Sequence, residues 1–172
     1  MNGSWAEFQP YDGCEFDVEI DFDDPAIGKQ RFITELTGDR FSREISRART
    51  FGFMKDVKNL WKAGYALGSS FDNSVVIGDE GVMNPGGLRF DDEFVRHKLL
   101  DAVGDLALAG APILGRYRSY RGGHKLNYLM VKALFEQQNC WSYHEISRPG
   151  FTVSPRANIG VEPVVALAPS KS

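Results

Sequence analysis

Hydrophobic and polar positions alternate from the start of the chain. Residues 5–10 and 14–22 both read with a period of two, and Tyr11-Asp12-Gly13 between them carries turn chemistry. In the second run Phe16, Val18 and Ile20 share one face, while Glu15, Asp17, Glu19 and Asp21 share the other. That pattern predicts a half-solvated antiparallel strand. Asp23-Asp24-Pro25 closes it, and residues 30–36 predict a third strand.

The period then changes. Asp39 caps a predicted helix through Phe41, Ile45 and Ala48, which Thr50-Phe51-Gly52-Phe53 interrupts. A second helix over 54–63 ends at Gly64. A turn at Gly68-Ser69-Ser70, a short apolar strand at 75–77 and a turn at 78–81 follow. The longest predicted helix spans 91–109, opens on Asp91, Asp92 and Glu93, and stops at Gly110. A strand at 113–120, a helix at 125–137 and a last strand at 141–146 complete the pattern. Strands followed by helices predict an α+β fold, with helices packed on one face of a largely antiparallel sheet. Residues 1–147 form the expected domain. From Arg148 onward Pro, Ser, Ala and Val follow no period, so 148–172 is expected to be a mobile tail.

Composition changes this picture little. A formal net charge of -3 argues against an electrostatically driven nucleic-acid partner. No apolar run approaches the roughly 20 residues of a membrane span, and no secretory signal opens the chain. Cys14 and Cys140 lie far apart, so neither a disulfide framework nor a thiolate metal knuckle is expected, and a cytoplasmic location is the default. The chain enters strand-like sequence almost at once, as either a natural domain or a piece of a longer protein can.

Chemistry concentrates on the long helix. Val95, Leu99, Ala102, Val103 and Leu106 make its apolar stripe, while His97, Asp101 and Asp105 recur at i, i+4 and i+8 on the polar side. An imidazole and a carboxylate one turn apart can supply two corners of a tetrahedral zinc site. The same spacing is more often a surface pair or a hydrogen-bonded helical neighbour, and spacing alone does not choose. Gly104 on that stripe would let a backbone or ligand come close. His124 follows Gly122-Gly123 at a strand-to-helix turn, where it could stabilise an oxyanion or protonate a leaving amine, or simply be solvated.

Four segments carry a resemblance: 47–53 (Arg-Ala-Arg-Thr-Phe-Gly-Phe), 87–98, 100–106 and 123–127 (Gly-His-Lys-Leu-Asn). Together they resemble the UDP-3-O-acyl-N-acetylglucosamine deacetylases, zinc amidases of lipid A (lipopolysaccharide) biosynthesis, over about residues 5–143. The resemblance implies that His97 and Asp101 are zinc ligands, with His124 the charged catalytic histidine, Asp105 its orienting carboxylate and Thr50 a hydroxyl at the tetrahedral intermediate. It implies that Lys98 and Arg121 face a sugar nucleotide and that Phe22 and Phe51 pack on it. It also implies an acyl-chain insert at about 51–77, with Val57, Ala66, Ser70, Phe71 and Val76 on the channel. Ser69 and Gly122 stand where the family usually has glycine and serine, and Lys125 replaces a small residue beside His124.

The resemblance covers only the second of the family's two similar domains. The third zinc ligand and the general base are expected from the other domain, so this chain alone is expected to be inactive. The alternatives are a non-catalytic module that binds a UDP-sugar or acyl chain, and one chain of a split enzyme. An exposed interdomain face would favour self-association.

Overall fold

A computed structural model describes residues 3–62, 64, 67–145 and 163–167. Ala66 and most of the expected tail lie outside the described residues.

The main sheet is built on β7 (Ile113–Tyr120), which has neighbours on both sides. On one side β2 (Cys14–Asp21) runs parallel to it, and β3 (Lys29–Glu35) pairs antiparallel with β2. On the other side β1 (Trp5–Gln9) pairs antiparallel with the C-terminal part of β7. The backbone of β9 (Pro163–Leu167) pairs parallel with its N-terminal end, and β8 (Trp141–Glu145) pairs with β9. The sheet is therefore mixed rather than largely antiparallel. The turn at Tyr11-Asp12-Gly13 does not close a hairpin: β7 lies between β1 and β2, a non-local pairing that local turn chemistry does not reveal.

A smaller sheet carries β4 (Thr50–Phe53), β5 (Ser74–Gly78) and β6 (Gly81–Val82). Its first two strands are parallel, so the chain must cross over between them, and α2 (Met54–Lys62) is on that crossover. The segment 50–53 that interrupts the helical pattern is thus a strand.

The predicted first helix is short. Thr37, not Asp39, caps it: its side chain accepts from the Arg40 N–H. One α turn, α1 (Gly38–Arg40), widens into a π turn over Phe41–Ile45. The hydroxyls of Ser42 and Ser46 bond the carbonyls four residues back at 2.9 and 3.0 Å, competition that loosens a helical ladder. Asp39 instead pairs with Arg43.

The long helix α3 (Glu93–Leu106) passes through a 3-10 turn and stops at Gly110, whose φ of 77° explains the glycine there. Val95, Leu99, Ala102 and Leu106 are buried against Phe16, Val18 and Ile20 of β2. Each of the Val, Leu, Ile and Phe side chains among them contributes about 1.5–3 kcal/mol. The last helix, α4 (His124–Glu136), packs beside α3 and buries Val131 and Leu134. No helix among the described residues is long and apolar enough to cross a membrane.

Candidate active site

Most of the candidate residues meet where the polar side of α3, the first turn of α4 and strand β4 converge. Helical spacing puts His97 and Asp101 one turn apart, and packing of the apolar stripe holds both side chains only 14% and 13% exposed. His97 Nε2 lies 3.2 Å from Asp101 Oδ1. His97 Nδ1 lies 3.3 Å from the Ala48 carbonyl, which can only accept, so Nδ1 carries the proton. Burial pulls this imidazole below its ordinary value, against the opposing effect of Asp101. In the neutral ring the Nε2 lone pair then faces a carboxylate lone pair, an arrangement relieved by a shared cation. Ligand atoms about 2 Å from a tetrahedral zinc sit about 3.3 Å from each other. The observed 3.2 Å fits that edge, and the carbonyl on Nδ1 is the usual outer support of a metal-bound imidazole. Among the described residues no third His, Cys, Asp or Glu completes a metal-binding group.

His124 stands on the opposite wall. Its Nδ1 is 2.8 Å from Asp105 Oδ2, and its Nε2 is 4.0 Å from Asp101 Oδ2. The ring is 70% exposed, so Asp105, rather than packing, orients it. Lys98 Nζ donates to Asp101 Oδ2 at 3.2 Å and lies 5.7 Å from the Phe51 ring centre. Phe51 stacks edge-on against Phe22 and Phe94 with centroids 5.7 and 5.0 Å apart, and against His97 at 6.1 Å. It anchors the aromatic floor.

Two adjoining cavities open here. One of about 490 Å³ is lined by Phe22, Thr50, Phe51, Val57, Lys98, His97, Asp101 and His124. The other, about 330 Å³ and mostly apolar, is lined by Val57, Ser69, Ser70, Phe71, Val75 and Val76. They share Thr50, Phe51, Gly52 and Val57 as walls. The structure thus brings together every candidate residue from the sequence except three. Asp105 stands behind His124 rather than on the cavity wall. Arg121 is exposed just beyond β7 and holds a left-handed backbone, φ 51°, with its N–H bonded to Glu19 O. Ala66 lies outside the described residues. A side chain at Gly104 would meet nothing within 4 Å, so no group among the described residues uses the opening it leaves.

Sequence reasoning missed three residues. Asn127 and Tyr117 lie behind Asp105, joined to each other by a 2.6 Å hydrogen bond. Asn127 is three residues from His124, so it shares its helix face, which was the available signal. Glu93, read from the sequence only as one of the acidic residues that open the long helix, is fully buried and bound by Arg49.

A family model for UDP-3-O-acyl N-acetylglycosamine deacetylase matches residues 1–136. The UDP-3-O-acyl-N-acetylglucosamine deacetylases of Brucella ovis, Brucella canis and Brucella suis are each 59% identical to this chain over 143 residues, 83% of this chain and 50% of the relative. The chain spans about half the length of the curated relatives it matches.

Proposed function

The chain belongs to the UDP-3-O-acyl N-acetylglycosamine deacetylase family, and from that premise we propose that it supplies part of a zinc-dependent site hydrolysing the N-acetyl group of UDP-3-O-acyl-N-acetylglucosamine in lipid A biosynthesis. One observation carries the reading: His97 Nε2 and Asp101 Oδ1 are set at a ligand-to-ligand distance, with the opposite nitrogen of His97 held by a carbonyl. We assign the chain to the C-terminal half of such an enzyme. The third ligand and the general base would come from the half that this chain does not cover.

His97 and Asp101 would hold the zinc ion. When bound, zinc would supply Lewis-acid polarisation of the acetamide carbonyl and acidify a water molecule. The chain's own groups do the rest. His124 gives its Nδ1–H to Asp105 and turns Nε2 toward the cavity; carrying a second proton on Nε2, it donates to the developing oxyanion and then passes that proton to the leaving amine. The Thr50 hydroxyl, on the wall shared by both cavities, adds a second donor. Phe22 and Phe51 offer ring faces to the glucosamine and nucleotide, while Lys98 and Arg121 offer cations to the diphosphate. The acyl chain fits the apolar cavity between Val57, Ser70, Phe71 and Val76.

The test is complementation. The purified chain, alone and mixed with the N-terminal half of a Brucella relative, is given the acylated UDP-sugar, with and without zinc, and acetate is measured. Zinc-dependent acetate release from the mixture alone is expected. A mixture that binds the UDP-sugar but never releases acetate would sink the catalytic reading and leave a binding module.

A further inference from the structure

From the exposed ring of His124 a series of hydrogen bonds runs inward to the buried Tyr117, and the direction of each follows from its groups. Asp105 Oδ2 accepts from His124 Nδ1 and from Asn127 Nδ2, both at 2.8 Å. A carboxylate can only accept, so Asn127 must turn its amide nitrogen to it. The Asn127 oxygen then faces the Tyr117 hydroxyl, which must donate, and does so at 2.6 Å. Asn127 and Tyr117 are each only 2% exposed. The Tyr117 ring lies against Phe8 and Phe16, with centroids 5.6 and 5.7 Å away, so its hydroxyl has a fixed place on β7. Burial pushes the phenol up to about 12, which keeps it a donor through the neutral range.

We propose that Asn127 and Tyr117 are positioning residues: they pin one oxygen of Asp105 and so lock the imidazole of His124 in its Nδ1–H form, with Nε2 turned to the cavity. The proposal rests on the reading of His124 given above. The physical need is specific. An exposed imidazole in water favours the Nε2–H form, and only a well-placed acceptor at Nδ1 reverses that choice. His124 is 70% exposed, and among the described residues Asp105 at 2.8 Å is the close partner of its ring, Asp101 standing 4.0 Å from Nε2. A carboxylate free to rotate is a poor anchor for a ring that must aim at a reacting atom. Asn127, three residues on from His124 along α4, removes that freedom. Tyr117 in turn stops the Asn127 amide from flipping its oxygen toward Asp105. The path from the rigid sheet to the exposed ring therefore passes through three side chains.

The experiment reads the tautomer rather than the activity. Long-range proton–nitrogen correlations of the imidazoles are recorded on the ¹⁵N-labelled chain in EDTA, at a pH where all histidines are neutral. His124 is assigned by the signals missing in His124→Gln. The wild type is expected to be predominantly Nδ1–H at His124. Tyr117→Phe, which removes one oxygen and keeps the ring, is expected to move the population predominantly to Nε2–H, and Asn127→Leu to do the same. Thermal unfolding checks that each variant is folded; should Asn127→Leu fail to fold, Tyr117→Phe decides alone. An unchanged tautomer in folded Tyr117→Phe, or an Nε2–H wild type, overturns the proposal. The measurement needs neither zinc nor substrate, so its outcome and that of the complementation test are independent.

Discussion

The guanidinium of Arg49 meets the carboxylate of Glu93 at two points, Nε to Oε1 at 2.9 Å and Nη2 to Oε2 at 3.0 Å, with both side chains buried. The backbone N–H groups of Arg49 and Arg89 donate to the same carboxylate at 2.9 and 2.6 Å. Arg49 also donates to the carbonyls of Phe71 and Gly87 at 3.0 and 2.9 Å. This one pair ties the first turn of α3 to the start of β4 and to the loops flanking β5 and β6. Thr50 follows Arg49 directly and His97 lies one turn beyond Glu93, so the geometry of the site depends on the pair.

Arg49→Met should therefore lower stability by about 3–5 kcal/mol, because it leaves a buried carboxylate without its cation. Urea denaturation at neutral pH measures the loss. The pH dependence has a definite sign. Burial alone would push the Glu93 carboxyl up, but hydrogen bonds from the Arg49 side chain and from the two backbone amides outweigh it, and the folded value lies below the ordinary 4.5. A carboxyl lowered on folding contributes fully above its unfolded value, and the contribution is lost as pH falls through the folded value. The stability gap between wild type and Glu93→Gln should be flat above the ordinary carboxyl value and should close only in acid below it.

Asp17 makes a second prediction. It is 8% exposed and accepts from Arg31 at 2.7 Å through both oxygens and from Arg118 Nε at 2.9 Å, joining β3 and β7 across β2. Asp17→Ala should cost about 1–3 kcal/mol, the range for losing hydrogen bonds to a charged group. Arg31→Ala, at a side chain 47% exposed, should cost about 1 kcal/mol or less. Comparing their denaturation midpoints checks the ranking.

Zinc binding should separate ligands from supports. His97→Ala and Asp101→Ala should each weaken zinc binding by the chain roughly tenfold or more, measured by calorimetry. Asp105→Asn, which touches His124 rather than the zinc-facing atoms, should leave it nearly unchanged. Equal losses in all three variants would argue that they perturb folding instead.

The apolar cavity predicts an effect on acyl length. Val57 stands where the two cavities join, and Val57→Phe would shorten the space beyond it. Excluding about three methylenes costs about 2.4 kcal/mol, roughly 50-fold in affinity for a long-chain acyl UDP-sugar. A short-chain analogue should bind as before, and titration of both ligands tests the difference.

The two cysteines should differ in reactivity. Burial and, secondarily, the charge of Glu35 push the Cys14 thiol up to about 11, while Cys140 is exposed. A thiol reagent at neutral pH should modify Cys140 quickly and Cys14 only after unfolding, as mass spectrometry of the peptides would record.

Periodicity alone determined most elements of this protein. The apolar stripe of α3, the alternation of β2 and the glycine that stops the long helix all follow from local geometry, which repeats along the chain and is legible in it. The same periodicity put His97, Asp101 and Asp105 on one polar face, and the motifs around them carried the family. Only the tertiary structure decided what those residues face. That β7 lies between β1 and β2, that Glu93 turns inward to Arg49, and that the neutral Nε2 of His97 meets Asp101 with Ala48 behind it all depend on contacts between distant segments. So does the support of Asp105 by Asn127 and Tyr117. Such pairings are set by which apolar faces pack together and by which buried polar groups must then find partners, and neither has a period to read.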